Sequence, residues 1–126
     1  MSDKELLEAA ARAFWAGEID DVCSVEWGEQ DNCILYTHAD NQDHNGVDRT
    51  YRWNPLEENS DAFELAVKLD IQITPGSADS PYAVASWWVR PSITAMEFER
   101  ELVDGDRCAA IRRCIVRAAA SIGPTP

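Results

Sequence analysis

The chain has 126 residues, of which 45% are apolar and 27% charged, a composition that fits one globular domain and excludes wholesale disorder. Twenty-three acidic residues against eleven basic ones give a net charge of −12. That balance argues against a duplex-DNA or anionic-membrane binder, because the phosphate contribution to such binding comes from Lys and Arg.

Residues 3–16 read as a helix. Ser2 and Glu5 fit the S-x-x-E capping box, Leu6, Leu7, Ala10, Ala13 and Phe14 recur at three- and four-residue spacing, and Gly17 is a natural C-cap. Residues 22–28 and 32–38 read as two strands, with Val22, Val25 and Trp27 in the first and Cys33, Ile34, Leu35, Tyr36 and Thr37 in the second. The turn-forming residues 28–32 join them as a hairpin. Residues 39–46 are polar and end in Asn-Gly, so an exposed, mobile loop is expected there. Residues 48–53 read as a short third strand, stopped by Asn54-Pro55.

Asn59, Ser60 and Asp61 offer N-cap chemistry for a second helix to about Leu69, with Ala62, Leu65, Ala66 and Leu69 on one face. Residues 71–73 read as a strand and residues 74–77 as a break. Residues 82–89 are the strongest strand signal and contain the adjacent Trp87 and Trp88; Pro91 ends them. Residues 93–99 alternate only weakly and read as an optional edge strand, guarded by its charges. The last helix covers about 107–122, with Cys108, Ile111, Ile115, Ala118, Ala119 and Ile122 as its apolar stripe and Gly123-Pro124 as its stop. Residues 124–126 form a tail expected to fray.

Helices and strands in mixed order, without regular β-α alternation, predict a single α+β domain over residues 1–123. The expected architecture is an antiparallel sheet of four to six strands, helices mainly on one face, in the order α-β-β-β-α-β-β-α. No run approaches the ~20 apolar residues of a membrane span. The opening Met-Ser-Asp-Lys-Glu-Leu-Leu-Glu lacks the regions of a secretory signal, so a cytoplasmic protein is expected. The cysteines, Cys23, Cys33, Cys108 and Cys114, form no C-x-x-C and are expected as buried, reduced, structural thiols.

No serine-hydrolase, zinc-protease, P-loop or dinucleotide motif occurs, so no catalytic residue and no cofactor is implied. Residues 38–44 contain His38, Asp40, Asp43 and His44, ligand types competent for zinc or manganese. Their spacing matches no metal motif, and a solvated loop accounts for them as well. Nine acidic residues, Glu18 to Asp48, follow one another without a Lys or Arg. Such a stretch can steer toward a basic surface or mimic DNA phosphates, and it can equally be a solvated face. Arg113 and Arg117 lie four apart on one helix face, where they can bind a phosphate or a carboxylate or pair internally. Trp87 and Trp88 point to opposite faces of one strand, so one of them needs a helix, a loop or another subunit over it.

Several short stretches carry a resemblance: the Leu-Ala-rich first helix, Val25-Glu-Trp27, Trp53-Asn54-Pro55, and Asp61-Ala62 with Leu65 and Leu69. Ile71-Gln-Ile73, Trp88 and the closing Arg112-Arg113-Cys114-Ile115-Val116-Arg117-Ala118-Ala119 complete it. The pattern resembles the small phage and prophage accessory proteins related to NinX, from lambdoid-type phages. That resemblance implies a phage origin and the host cytoplasm, and assigns no site residues.

The leading expectation is therefore an accessory protein that binds a host or phage protein, with no direct nucleic-acid or membrane contact. The binding residues expected are Trp87, Trp88, Arg113 and Arg117, and the sheet face left open by the helices is expected to form a homodimer or a partner site. A DNA mimic and a small metal-dependent enzyme built on the 38–44 stretch are the alternatives.

Overall fold

In a computed structural model of the chain, the first helix, α1 (Asp3–Phe14), begins where its capping box places it. The structure describes residues 2–16, 22–42, 48–77, 79–89, 96–103 and 105–122, and for 22–24, 38–42, 48–49 and 98 the backbone alone. Ser2 Oγ accepts the Glu5 backbone N–H at 3.2 Å and donates to the Glu5 carboxylate at 3.1 Å, so the box closes through the hydroxyl. The helix stops two residues before the expected end, its last turn tightened by Ala16 N–H donating to Ala13. Gly17 lies outside the described residues.

Strands β1 (Val22–Gly28), β2 (Cys33–Gln42) and β3 (Asp48–Trp53) form one antiparallel sheet in sequence order. In the β1–β2 turn, Gly28 C=O accepts from the N–H groups of Asp31 and Asn32, and Asn32 takes φ 53°, a left-handed conformation Asn tolerates. The β2 strand corrects the reading of residues 39–46. Its backbone continues to Gln42, which pairs with Asp48 across a register shift after Thr37. Residues 43–46 of the expected loop lie outside the described residues.

The turn after β3 is built on Asn54, which is buried. Its Oδ1 accepts the Leu56 N–H at 3.2 Å, and its own N–H donates to Asp61 Oδ2 at 2.9 Å. Helix α2 (Asn59–Lys68) follows, with Glu58 as its N-cap residue and no side-chain cap. The expected caps are thus spent elsewhere: Asp61 on Asn54, and Asn59 Oδ1 on the Arg112 guanidinium at 2.7 Å.

Burial pushes the Asp61 carboxyl above its ordinary value; the Asn54 N–H opposes this and the Glu58 charge reinforces it. A raised folded-state value means the native protein binds this proton more tightly. The contribution of Asp61 to stability therefore falls as pH rises through the upper carboxylate range. Asp61→Asn keeps an acceptor without the charge and is expected to stay within about 1 kcal/mol of wild type at pH 7. Asp61→Ala leaves a buried N–H unpaired and is expected to lose about 1–3 kcal/mol. Urea unfolding of the three proteins at pH 4 and pH 7 checks both values and the sign.

Strands β4 (Gln72–Thr74), β5 (Tyr82–Trp88) and β6 (Met96–Leu102) make a second antiparallel sheet in the order β4-β5-β6. Helix α3 (Arg107–Ile122) opens with Asp106 Oδ1 accepting the Ala109 N–H at 3.0 Å. It packs against α1, α2, β5 and β6, while α1 also lies on β1 and β2. The fold is α+β in the expected order, with the weakly alternating segment realised as a strand that runs on to Leu102, three residues past its expected end; residues 93–95 lie outside the described residues. The described strands form two three-stranded sheets rather than one continuous sheet. The break falls where α2 separates β3 from β4; α1 lies on the first sheet, α3 on the second, and the two helices pack on each other. Among the described residues no helix is long and apolar enough to cross a membrane.

Candidate functional site

Strand β5 alternates between buried Ala83, Ala85 and Trp87 and outward-facing Tyr82, Val84, Ser86 and Trp88. Trp87 is 7% exposed and turned toward the helices; Trp88 is 42% exposed on the opposite face. Register carries this division to the neighbouring strands, because directly paired residues share a face. Tyr82 pairs with Leu102, Val84 with Arg100 and Thr74, Ser86 with Gln72 and Phe98, and Trp88 with Met96. Tyr82, Trp88, Met96 and Leu102 are all exposed large apolar side chains on this face. The Arg100 guanidinium lies over the Tyr82 ring at 5.2 Å, a cation–π contact that lays its apolar stem along the sheet.

Glu97, Glu99 and Glu101 of β6 alternate to the other face. There Arg117 of α3 meets Glu99 Oε2 at 3.1 Å and Glu101 Oε1 more closely, and Ser121 donates to Glu99 at 3.2 Å. The hydrogen bond to Glu101 and the Glu99 charge hold the Arg117 guanidinium above its ordinary range, against a smaller opposing effect of burial. Arg113 pairs with Asp3 of α1 at 3.0 Å. Both arginines line a groove of about 530 Å³ with Leu6, Glu99 and Glu101, and both already hold internal carboxylates. Arg117→Met leaves two carboxylates side by side and is expected to lose about 1 kcal/mol at low salt, less at 1 M, where screening shortens to about 3 Å. Urea midpoints at the two ionic strengths check this.

Of the three thiols whose side chains are described, one differs from expectation; the Cys23 side chain lies outside the described residues. Cys33 and Cys114 are buried, but Cys108, in the first turn of α3, is exposed. It borders an apolar recess of about 230 Å³ with Phe63, Ile73 and Ile111. Cys114 Sγ lies 3.0 Å from Glu99 O and 3.5 Å from Ala83 O, and burial pushes its thiol up to about 11. It therefore stays protonated and unreactive at neutral pH. In Cys23→Ser protein, iodoacetamide at pH 8 is expected to label Cys108 alone before denaturation, as read by mass spectrometry.

His38 and Asp40 fall within the backbone of β2, and Asp43 and His44 lie outside the described residues. Two carboxylates of the acidic stretch have cations from other segments: Glu29 with Lys4 at 3.6 Å and Asp31 with Arg52 at 3.8 Å. Sequence reasoning reached Trp88, Tyr82 and Val84 but missed Met96, Arg100 and Leu102. The period-two pattern of residues 96–102 is the available signal, and an expected strand end at Glu99 cuts it short by three residues. No family model matches the chain, and comparison with curated proteins and with solved structures likewise finds no match.

Proposed function

We propose that this chain acts as an accessory protein by binding another protein, with the outer face of β4-β5-β6 as the docking surface. The observation that carries this reading is the exposure of Trp88 beside Met96, with Tyr82 and Leu102 at the other end of the same strand pair. Contiguous apolar patches of this kind mark interaction sites, and aromatic side chains dominate the energetics of interface centres. A phage origin and action in the bacterial cytoplasm belong to the same proposal and rest on the resemblance to NinX-related proteins.

The test is quantitative capture from bacterial lysate with wild type, Trp88→Glu and Arg113→Ala, each checked for folding by circular dichroism. A partner held equally by wild type and Arg113→Ala, and at least about tenfold less by Trp88→Glu, supports the reading; tenfold corresponds to about 1.4 kcal/mol, more than most interface residues cost on truncation. A partner retained equally by Trp88→Glu places binding elsewhere and rejects it.

A further inference from the structure

Among the described residues, the open face of the second sheet carries one ionised side chain, Arg100, beside apolar side chains and the uncharged polar Gln72, Thr74 and Ser86, in a chain whose net charge is −12. The carboxylates of the same strand, Glu97, Glu99 and Glu101, all alternate to the other face. Among the described strand residues, an occupant of the open face therefore meets a guanidinium and no acid.

The closed face indicates what covers such a sheet. Helix α3, of 16 residues, lies on β5 and β6 and sets the basic Arg117 against Glu99 and Glu101. At a rise of about 1.5 Å per residue it is roughly 24 Å long, matching a seven-residue strand at about 3.4 Å per residue. Three strands spaced about 4.8 Å apart span roughly 14 Å, close to the 10–12 Å diameter of one helix. The open face offers the same dimensions with the charge reversed. On the basis of the docking reading above, we propose that it takes an amphipathic helix of a partner protein whose apolar stripe includes a carboxylate placed against Arg100.

A second copy of this chain is the poorer occupant. Stacking the face on itself brings two guanidinium groups under cover with no acid from either face, and a buried unpaired charge is unfavourable. Such a stack would also bury roughly 560 Å² in all, from two seven-residue strands and one of three residues, short of the ~1,200 Å² of stable interfaces and suited to a transient docked helix.

The experiment titrates two synthetic 16-residue amphipathic peptides, identical except for Glu or Lys in mid-stripe, into the intact protein. Calorimetry gives the affinity, and the Trp88 indole resonance of ¹⁵N-labelled protein reports the place of binding. The Glu peptide is expected to bind wild type about tenfold more tightly than the Lys peptide, Arg100→Gln to erase the preference and Arg100→Glu to invert it, as close charge pairs across an interface do. Equal affinities on wild type, a preference unchanged by Arg100→Glu, or no binding of either peptide overturns the proposal. If neither peptide binds but sedimentation shows a dimer that Trp88→Glu abolishes, the docking face stands and its occupant is a second copy. Loss of the helix proposal together with partner capture unaffected by Trp88→Glu removes both readings.

Discussion

Replacing Trp53 by alanine is expected to remove about 3–5 kcal/mol of stability, a large share of the 5–15 kcal/mol typical of a domain. Trp53 closes β3 and is 2% exposed. Its ring lies 5.3 Å from Phe14 and 5.0 Å from Trp15, and Trp15 lies 5.2 Å from Tyr36, which stacks on Tyr51 at 5.5 Å. This chain of rings ties the end of α1 to the first sheet, so truncation opens a cavity between two elements that cannot collapse independently. The Trp53 indole N–H is buried and has no hydrogen-bond partner among the described residues. Trp53→Phe removes that unpaired donor along with part of the ring, so a smaller loss of about 1–2 kcal/mol is expected. Urea unfolding of both variants is the measurement. Equal losses for Phe and Ala would mean that the indole N–H is satisfied and that ring area is not what matters.

Ala85→Leu is expected to cost about 1–3 kcal/mol by overpacking. Ala85 is fully buried under α3, close to Cys114, with Ala83 beside it on the strand and Ala110 and Ala118 in the same core. Alanines on both sides let the helix lie near the sheet, near enough for the Cys114 thiol to reach a backbone carbonyl. A leucine at this position forces the helix outward or its own side chain off-rotamer. The neighbouring Val84→Leu adds a methylene on the open face and is expected to change stability by less than about 0.5 kcal/mol. Thermal unfolding of the pair therefore tests the facing of β5 directly. Similar losses at both positions would show that the outer face is not open.

The acidic balance also bears on association. A molecule at −12 repels its own copies at low salt, and screening beyond about 8 Å at physiological strength confines that repulsion to close approach. On the outer face of the second sheet the described strand residues present no carboxylate, because the glutamates of β6 all turn inward to the side of α3. Charge therefore leaves this face accessible while the rest of the surface keeps the protein apart from itself.

The sequence by itself determined the elements whose cause is local. The Ser2–Glu5 box starts α1, the 28–32 turn joins β1 to β2, Asn54-Pro55 stops β3, and three-to-four spacing marks α3. Each depends on residues within a turn or two, so composition and period reveal it. The opposite facing of Trp87 and Trp88 was legible for the same reason, since it follows from the two-residue period of any strand. Tertiary structure decided what those faces meet. It spent Asp61 on Asn54 rather than on a helix cap, carried β2 through polar residues to Gln42, and extended the last strand past Glu99 to Leu102. It also split the strands into two sheets and brought Arg117 against Glu99 and Glu101. These outcomes depend on register and on helix–sheet approach, which join residues far apart in the chain. A register is chosen by the summed burial and pairing of both partners, and neither partner's sequence contains that sum alone.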